Sequence, residues 1–230
     1  MQLVCPAGNL PALRAAVDAG ANAVYAGFRD QTNARAFPGL NFDEAELRAG
    51  IAYAHARSCQ VYLALNTYPE TARLPAWRAA VDHAAELGCD AIIAAEMAVL
   101  EHAMREHPKL ARHLSVQGSA TTAPALRYMH ERFGISRAVL PRVLSLQQVE
   151  RLCAVSPVPL EVFAFGSLCI MVEGRCQLSS YVTGASPNRH GVCSPARFVR
   201  WEEHADGQRG VRLNGLLMDR YQPGEPAAYP

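Results

Sequence analysis

The sequence predicts an α/β fold, an incomplete TIM-like (β/α) barrel of about seven βα units in which the eighth strand is missing. Over residues 1–165, short apolar runs alternate with longer segments whose apolar residues recur every three or four positions. The units are similar in length. The first strand is followed by Pro6-Ala-Gly-Asn9 and not by the glycines of a dinucleotide-binding turn, which favours a barrel over an open doubly wound sheet.

The predicted strands are short and apolar, as is typical of a parallel sheet covered on both faces. Strands that alternate with helices connect through right-handed crossovers, so each strand is expected to lie beside the one before it. The runs that predict strands are 3–5, 23–26, 61–65, 91–94, 114–116, 138–140 and 160–165.

The predicted helices have recognisable starts and stops. Asn9 is placed to cap the first helix, with Pro11 in its first turn. Gly20, Gly88 and Gly134 stand where helices commonly end. The helix-like segments are 10–19, 43–57, 75–87, 98–105, 123–133 and 146–155.

After residue 165 the alternation stops, and loops and short apolar runs at 196–201 and 211–218 lead into a tail that contains proline and glycine. We therefore divide the chain into barrel units over 1–165 and a cysteine-bearing loop region with a C-terminal tail over 166–230. A barrel without its eighth strand has two open edges. We expect a chain of this kind to be a piece of a longer protein or to depend on a partner.

Composition excludes several functions. A net charge of +1 gives no electrostatic reason to expect a nucleic acid or an anionic membrane as the main partner. No apolar run is long enough to span a membrane, and the cytoplasm is the expected location. Lys109 is the only lysine and lies in a polar stretch, which argues against Schiff-base and pyridoxal-phosphate enzymes.

Polar side chains follow several predicted strands, where the working residues of parallel barrels lie. Amides and guanidinium groups at these exits predict a pocket for a polar or carboxylate-bearing molecule. The alternative is that the same residue types only cap helices and tie loops. The candidate substrate-binding residues are Asn33, Arg35, Asn66, Gln117, Arg142 and Arg175.

Three cysteines lie close together beyond the seventh predicted strand, at Cys169, Cys176 and Cys193. Thiolates spaced around a glycine-containing loop favour iron–sulfur ligation. A zinc site that also uses His190 stays open, although the paired C-x2-C units of structural zinc sites are absent. A single catalytic thiol is a further alternative. The other cysteines are interpreted as unliganded core thiols, at Cys5, Cys59, Cys89 and Cys153.

Hydrolase motifs are absent from the sequence. There is no H-E-x-x-H and no G-x-S-x-G. His102 and His107 are five residues apart in a predicted helical stretch, a spacing that is expected to spread them around the helix and away from a shared metal.

The stretch Glu161-Val-Phe-Ala-Phe-Gly-Ser-Leu-Cys169, followed by Gly174-Arg-Cys176-Gln-Leu-Ser179, resembles the pattern of the collagenase-like peptidases, peptidase family U32. Within that family the whole chain resembles the UbiU-like branch of ubiquinone biosynthesis. The matching stretches are residues 5–13, 33–35 with 39–42, 138–145, 162–171 and 193–201. Val143 and Ala196 favour this branch over peptidase-like or RNA-hydroxylating relatives, which tend to have glutamate and cysteine there.

The resemblance implies an oxygen-independent hydroxylation of the aromatic ring of a ubiquinone precursor, with prephenate as the oxygen donor. It implies a heterodimer with a UbiV-like protein, a lipid-binding accessory protein, and a 4Fe-4S cluster on Cys169, Cys176, Cys193 and a fourth cysteine expected beyond Pro230. Arg35, Arg142 or Arg175 would clamp the carboxylates of the donor. The alternatives are a collagenase-like peptidase of the family and an RNA-hydroxylating relative.

Overall fold

A curled sheet of seven parallel strands forms the centre of the molecule. The computed structural model describes residues 1–36, 39–166, 176–193, 199–203, 209–213 and 216–221. The strands follow chain order, with β1 and β7 as the two edges of the described sheet, which confirms the predicted incomplete barrel. They are β1 Val4–Pro6, β2 Ala23–Ala26, β3 Gln60–Leu65, β4 Ala91–Ala94, β5 Ala111–Leu114, β6 Arg137–Val139 and β7 Leu160–Glu161.

Helices follow the first six strands and cover the outer face of the sheet. They are α1 Leu10–Asp18, α2 Glu44–His55, α3 Leu74–Leu87, α4 Met97–Glu106, α5 Ala123–Phe133 and α6 Leu146–Val155. Alternate strand residues such as Val24, Leu63 and Ile92 pack outward against this helical layer. The residues between them face the barrel interior, where Tyr62 packs with Ala23 and Ile93.

The predicted helix signals act as expected. The Asn9 side chain accepts a hydrogen bond from the backbone N–H of Ala12 at 2.9 Å. Gly88 and Gly134 end α3 and α5 in the left-handed conformation, at φ 82° and 61°. The capping residues in the sequence therefore predict the start of α1 and the ends of α3 and α5 correctly.

The fifth strand lies earlier than predicted, at Ala111–Leu114 and not at 114–116. Its polar side chains have partners within the fold. Arg112 donates from Nε to the carbonyl oxygen of Phe133 at 3.1 Å, and the His113 ring packs edge-on against Tyr62 with centroids 4.6 Å apart. Because Arg112 and His113 lie in its centre, β5 lacks the apolar run on which the prediction depended. Residues 115–119 form a capped turn instead.

The seventh strand is shorter than predicted. Of residues 160–165, only Leu160 and Glu161 pair with β6, because β6 itself ends at Val139. Residues 162–166 leave the sheet, and the side chain of Phe165 is exposed.

Beyond the barrel strands, regular elements occupy segments that the sequence analysis left as loops and short apolar runs. Two short helices are α7 Gln177–Thr183 and α8 Pro187–His190. An antiparallel sheet is formed by β8 Val199–Glu203, β9 Arg209–Leu213 and β10 Leu216–Tyr221. Cross-strand pairs such as Arg212 with Glu202, 2.7 Å apart, connect it. None of the described helices combines the length and hydrophobicity that a membrane span needs.

Candidate functional site

The segment at 191–193, which contains Cys193, lies against the loop that follows β2. Val192 forms an isolated antiparallel bridge with Arg35. On either side of it, Cys193 donates its backbone N–H to the carbonyl oxygen of Ala34, and Ala36 donates to Gly191, both at 3.1 Å. Two predicted site residues that are distant in sequence, Arg35 and Cys193, are therefore adjacent at one strand exit.

Amide side chains shape the loop that receives this segment. Asn33 donates from Nδ2 to Oδ1 of Asn41 at 3.0 Å, and Asn41 donates to the carbonyl oxygen of Arg35 at 2.6 Å. Asn66, at the exit of β3, accepts the backbone N–H of Ala34 at 2.9 Å. Asn33 and Asn66 thus have hydrogen bonds within the loop, and their binding of substrate stays a prediction. Asn41, buried at φ 71°, was not recognised from the sequence.

A second connection joins α8 to the exits of β3 and β5. The backbone N–H of Tyr68 donates to the carbonyl oxygen of Asn188 at 2.7 Å, and the Tyr68 hydroxyl donates to the carbonyl oxygen of Gln117 at 3.0 Å. The Gln117 side-chain oxygen Oε1 is buried and accepts no hydrogen bond from the described residues. Gln117 therefore offers an acceptor at a predicted position.

Arg142, at the exit of β6, lies over the ring of Phe163, with its guanidinium carbon 4.5 Å from the ring centroid. The charge of Arg142 also acts on the phenol of Tyr25 in β2. Burial raises the pKa of the Tyr25 phenol, while the positive charges of Arg35 and Arg142 act in the opposite direction. Both guanidinium groups therefore lie close enough to the Tyr25 phenol to affect its pKa. Tyr25 is not among the predicted site residues, because in the sequence it is part of an apolar strand.

A polar layer lies on the inward face of the strands. Arg137 forms an ion pair with Glu161, 3.2 Å from Nη1 to Oε2, and also bonds the side chain of Gln2. His113 is buried here, and its Nδ1 has no hydrogen-bond partner among the described residues. Burial, helped by the charge of Arg137, lowers the pKa of His113 to about 4, so this imidazole is neutral at neutral pH.

The cysteines divide by environment. Cys176 is half-buried, and its Sγ accepts the backbone N–H of Ser179 at 3.3 Å; Cys193 is also half-buried. Cys169 and Arg175 lie outside the residues that the structure describes. Cys59 and Cys89 are buried as expected, and burial raises the pKa of the Cys89 thiol to about 12.

The interpretation of Cys153 as a core thiol is wrong. Cys153 is exposed on α6. The helix turns its neighbour Leu152 toward the core, and one residue further along a helix faces a different direction.

The expectation that His102 and His107 point apart is also wrong. Both Nε2 atoms lie 2.7 Å from the same oxygen, Oδ1 of Asp82 on α3. The helix α4 ends at Glu106, so His107 is not bound to helical spacing.

Comparison with known proteins places these features in a family. The profile of peptidase family U32 matches residues 8–212. The tRNA hydroxylation protein P of Escherichia coli (strain K12) is 32% identical over 229 residues, covering 96% of this chain and 48% of that protein. The 23S rRNA 5-hydroxycytidine C2501 synthase of the same strain is 30% identical over 236 residues, covering 94% of this chain and 34% of that protein.

The chain therefore spans about half the length, or less, of these two curated relatives. Among solved structures, the U32 peptidase Mk0906 superposes with a TM-score of 0.59 at 15% identity, over 70% of this chain and 68% of that one. That likeness concerns the fold, and it agrees with the incomplete barrel described above.

Proposed function

The chain belongs to peptidase family U32, and on that premise we propose that it is the barrel part of an oxygen-independent hydroxylase. The proposed reaction adds a hydroxyl group to the aromatic ring of a ubiquinone precursor, with prephenate as the oxygen donor. Relatives that are named hydroxylation proteins support the reaction type. The whole-chain resemblance to UbiU-like proteins supports the substrate.

The observation that carries the proposal is the bridge between Val192 and Arg35. It holds a cysteine-bearing segment at the end of the barrel where strands β2, β3 and β6 present polar side chains. In parallel barrels this end holds the active site. A redox group on these cysteines would then lie beside the pocket in which a substrate meets Arg35 and Arg142.

The redox group proposed here is a 4Fe-4S cluster, because the chain carries three cysteines of the kind that ligate one. Cys169, Cys176 and Cys193 would supply three of its thiolate ligands, as the family resemblance implies. The backbone N–H that Ser179 donates to the sulfur of Cys176 is the kind of hydrogen bond that tunes cluster potentials. When bound, such a cluster would carry electrons one at a time, and because hydroxylation of the ring is a two-electron oxidation, any electrons that the oxygen donor does not take up would pass through it to an external electron acceptor.

The chain's own residues would bind and orient the donor. Arg35 and Arg142 suit the two carboxylates of prephenate, since guanidinium groups bind carboxylates in a bidentate manner. The buried Oε1 of Gln117 would accept a hydrogen bond from a substrate hydroxyl. Tyr25, whose phenol pKa is raised by burial, would hold a proton on the same side of the sheet. Arg175 is a third candidate clamp.

The acceptor ring and the partner would use apolar surface near the open edge. Phe163 and Phe165 are exposed beside β7, the edge strand of the described sheet. Two aromatic rings there suit a hydrophobic quinone precursor delivered by a lipid-binding protein. A UbiV-like partner would cover the open edges of the barrel, because unpaired strand edges favour association.

RNA is the second candidate substrate. The relatives named for tRNA and rRNA hydroxylation favour it. The net charge of +1 provides little of the positive field that RNA binding needs. RNA-hydroxylating relatives tend to have glutamate and cysteine where this chain has Val143 and Ala196. This difference also favours the quinone precursor as the substrate.

The test is anaerobic purification with the partner, followed by iron and sulfide analysis and by mass spectrometry of products. We expect a product heavier by one oxygen from the quinone precursor when prephenate is present and oxygen is excluded. Cys169→Ser should remove iron and activity, whereas Cys153→Ser, at an exposed thiol, should remove neither. A colourless, iron-free protein would contradict the cluster.

The substrate is tested separately. Arg142→Gln should raise the prephenate concentration needed for half-maximal rate, while Arg48→Gln, on the exposed face of α2, should not. Nucleosides digested from RNA incubated with the same preparation are analysed in parallel. Hydroxylated nucleosides without a hydroxylated quinone precursor would establish the RNA candidate instead.

A further inference from the structure

A histidine–carboxylate cluster lies between α3 and α4, on elements separate from the cysteine-bearing segment. The Nε2 atoms of His102 and His107 each lie 2.7 Å from Oδ1 of Asp82. Among the described residues these are three potential ligand atoms within 4.8 Å of one another. We propose that Asp82, His102 and His107 bind a divalent transition-metal ion of the zinc class. The proposal is independent of the proposed function.

The chain brings the two histidines together through a helix end. His102 lies within α4, and α4 stops at Glu106. His107 precedes Pro108, and a residue before proline is disfavoured in the helical conformation. His107 accordingly adopts φ −129° and ψ 63°, which takes it out of helical spacing and allows its ring to reach the carboxylate that His102 also contacts.

The donor set suits zinc in chemistry and in number. Two imidazole nitrogens and one carboxylate oxygen are ligands that zinc accepts, and three protein ligands leave a fourth tetrahedral position for water. The cluster is accessible to solvent, because the side chains of His102, His107 and Asp82 are 17%, 26% and 42% exposed. Water can therefore complete the coordination.

The geometry needs only a small adjustment. Without metal, both imidazoles donate Nε2–H to one carboxylate oxygen, and each nitrogen lies 2.7 Å from that oxygen. Around a tetrahedral zinc with bonds near 2.0–2.1 Å, ligand atoms are about 3.3 Å apart. Each imidazole nitrogen would move away from the carboxylate oxygen by about half an ångström, and each ring would present its Nε2 lone pair with its proton on Nδ1.

The expected consequence is a cross-link in the helical layer. The ion would fix the end of α4 to the middle of α3, two helices that already pack together. A ligand that binds the folded state and not the unfolded state stabilises the fold by mass action. Zinc should therefore raise the melting temperature.

The experiment uses the chain with Cys169, Cys176 and Cys193 replaced by serine, so that thiolates do not compete for metal. We expect one equivalent of zinc by calorimetry, and cobalt(II) bands typical of tetrahedral nitrogen and oxygen ligands. His107→Gln and Asp82→Asn should weaken binding by more than the roughly 10- to 100-fold that is lost when a residue hydrogen-bonded to a metal ligand is removed.

The matched control is His55→Gln. His55 contacts the carboxylate of Asp90 at 2.8 Å. Its replacement should leave the affinity for zinc unchanged. Should the cysteine replacements or ligand variants fail to fold, histidine-ring NMR of the unmodified chain gives a second readout. One equivalent of zinc should shift the signals of two imidazoles together. Unchanged signals, or equal affinity in His107→Gln and His55→Gln, would overturn the proposal.

Discussion

Val192 pairs with Arg35 in an antiparallel bridge that attaches the cysteine-bearing segment to the loop after β2. The bridge is flanked by two backbone hydrogen bonds of 3.1 Å, from Cys193 to Ala34 and from Ala36 to Gly191. The close approach requires glycine at position 191, where a Cβ atom would lie 2.6 Å from the carbonyl oxygen of Asn33. The docking of the segment that contains Cys193 thus depends on close backbone contact.

Gly191→Ala should undock the segment. The residue has φ +66°, which costs an L-residue about 1–2 kcal/mol, and the clash with Asn33 adds about 1–3 kcal/mol. Gly184→Ala is the matched control, because Gly184 has the same φ of +66° and open space around its Cβ position. We expect iron content and protease resistance near Cys193 to fall in Gly191→Ala only. An equal loss in both variants would mean that backbone strain alone is responsible.

Thr67→Val should destabilise the exit of β3. The buried Thr67 hydroxyl donates to the carbonyl oxygen of Gln31 at 2.5 Å and accepts Nε1–H of Trp77 at 3.2 Å. Valine keeps the shape but leaves a buried N–H without its acceptor, which costs about 1–3 kcal/mol. Chemical denaturation measures the loss. The double variant Thr67→Val/Trp77→Phe, which removes the orphaned donor, should lose less than the two single losses added together.

Stability should fall as pH falls from about 6.5 towards about 4, because of His113. Burial lowers its pKa from 6.5 to about 4 in the folded state, so in this window the unfolded chain binds a proton that the folded chain does not. The loss is complete below the folded pKa and on the order of 3 kcal/mol. Denaturation at a series of pH values checks it. His113→Phe should flatten this part of the profile, and parallel profiles would contradict the assignment.

Thiol labelling should separate the cysteines into three classes. Cys153 is exposed and should react with an alkylating reagent at once. Cys89, whose pKa is raised to about 12 by burial, should react only on unfolding. Cys176 and Cys193 should react in metal-free protein and be protected after cluster reconstitution, as mass spectrometry of peptides would show. Protection of Cys153 to the same degree would indicate non-specific shielding.

Short-range patterns in the sequence predict the βα alternation and several helix ends correctly. Residue periodicity predicted the βα alternation, and capping at Asn9, Gly88 and Gly134 set helix ends, because both depend on neighbours within a few positions. The position of β5 is predicted wrongly because its polar residues are held by other elements: Arg112 donates to the carbonyl oxygen of Phe133, and the His113 ring packs against Tyr62. A local window contains none of those partners.

The sequence by itself determined the parallel α/β architecture, the cysteines as potential ligands, and the arginines at strand exits. Only the tertiary structure decided that Cys193 lies beside Arg35. It also placed Tyr25 where the charges of Arg35 and Arg142 both act on its pKa. It brought His102 and His107 to the same carboxylate, that of Asp82. The reason is physical: periodicity and capping are local properties of the chain. A shared site depends on how strands register and how helices pack, and those contacts join residues far apart in sequence.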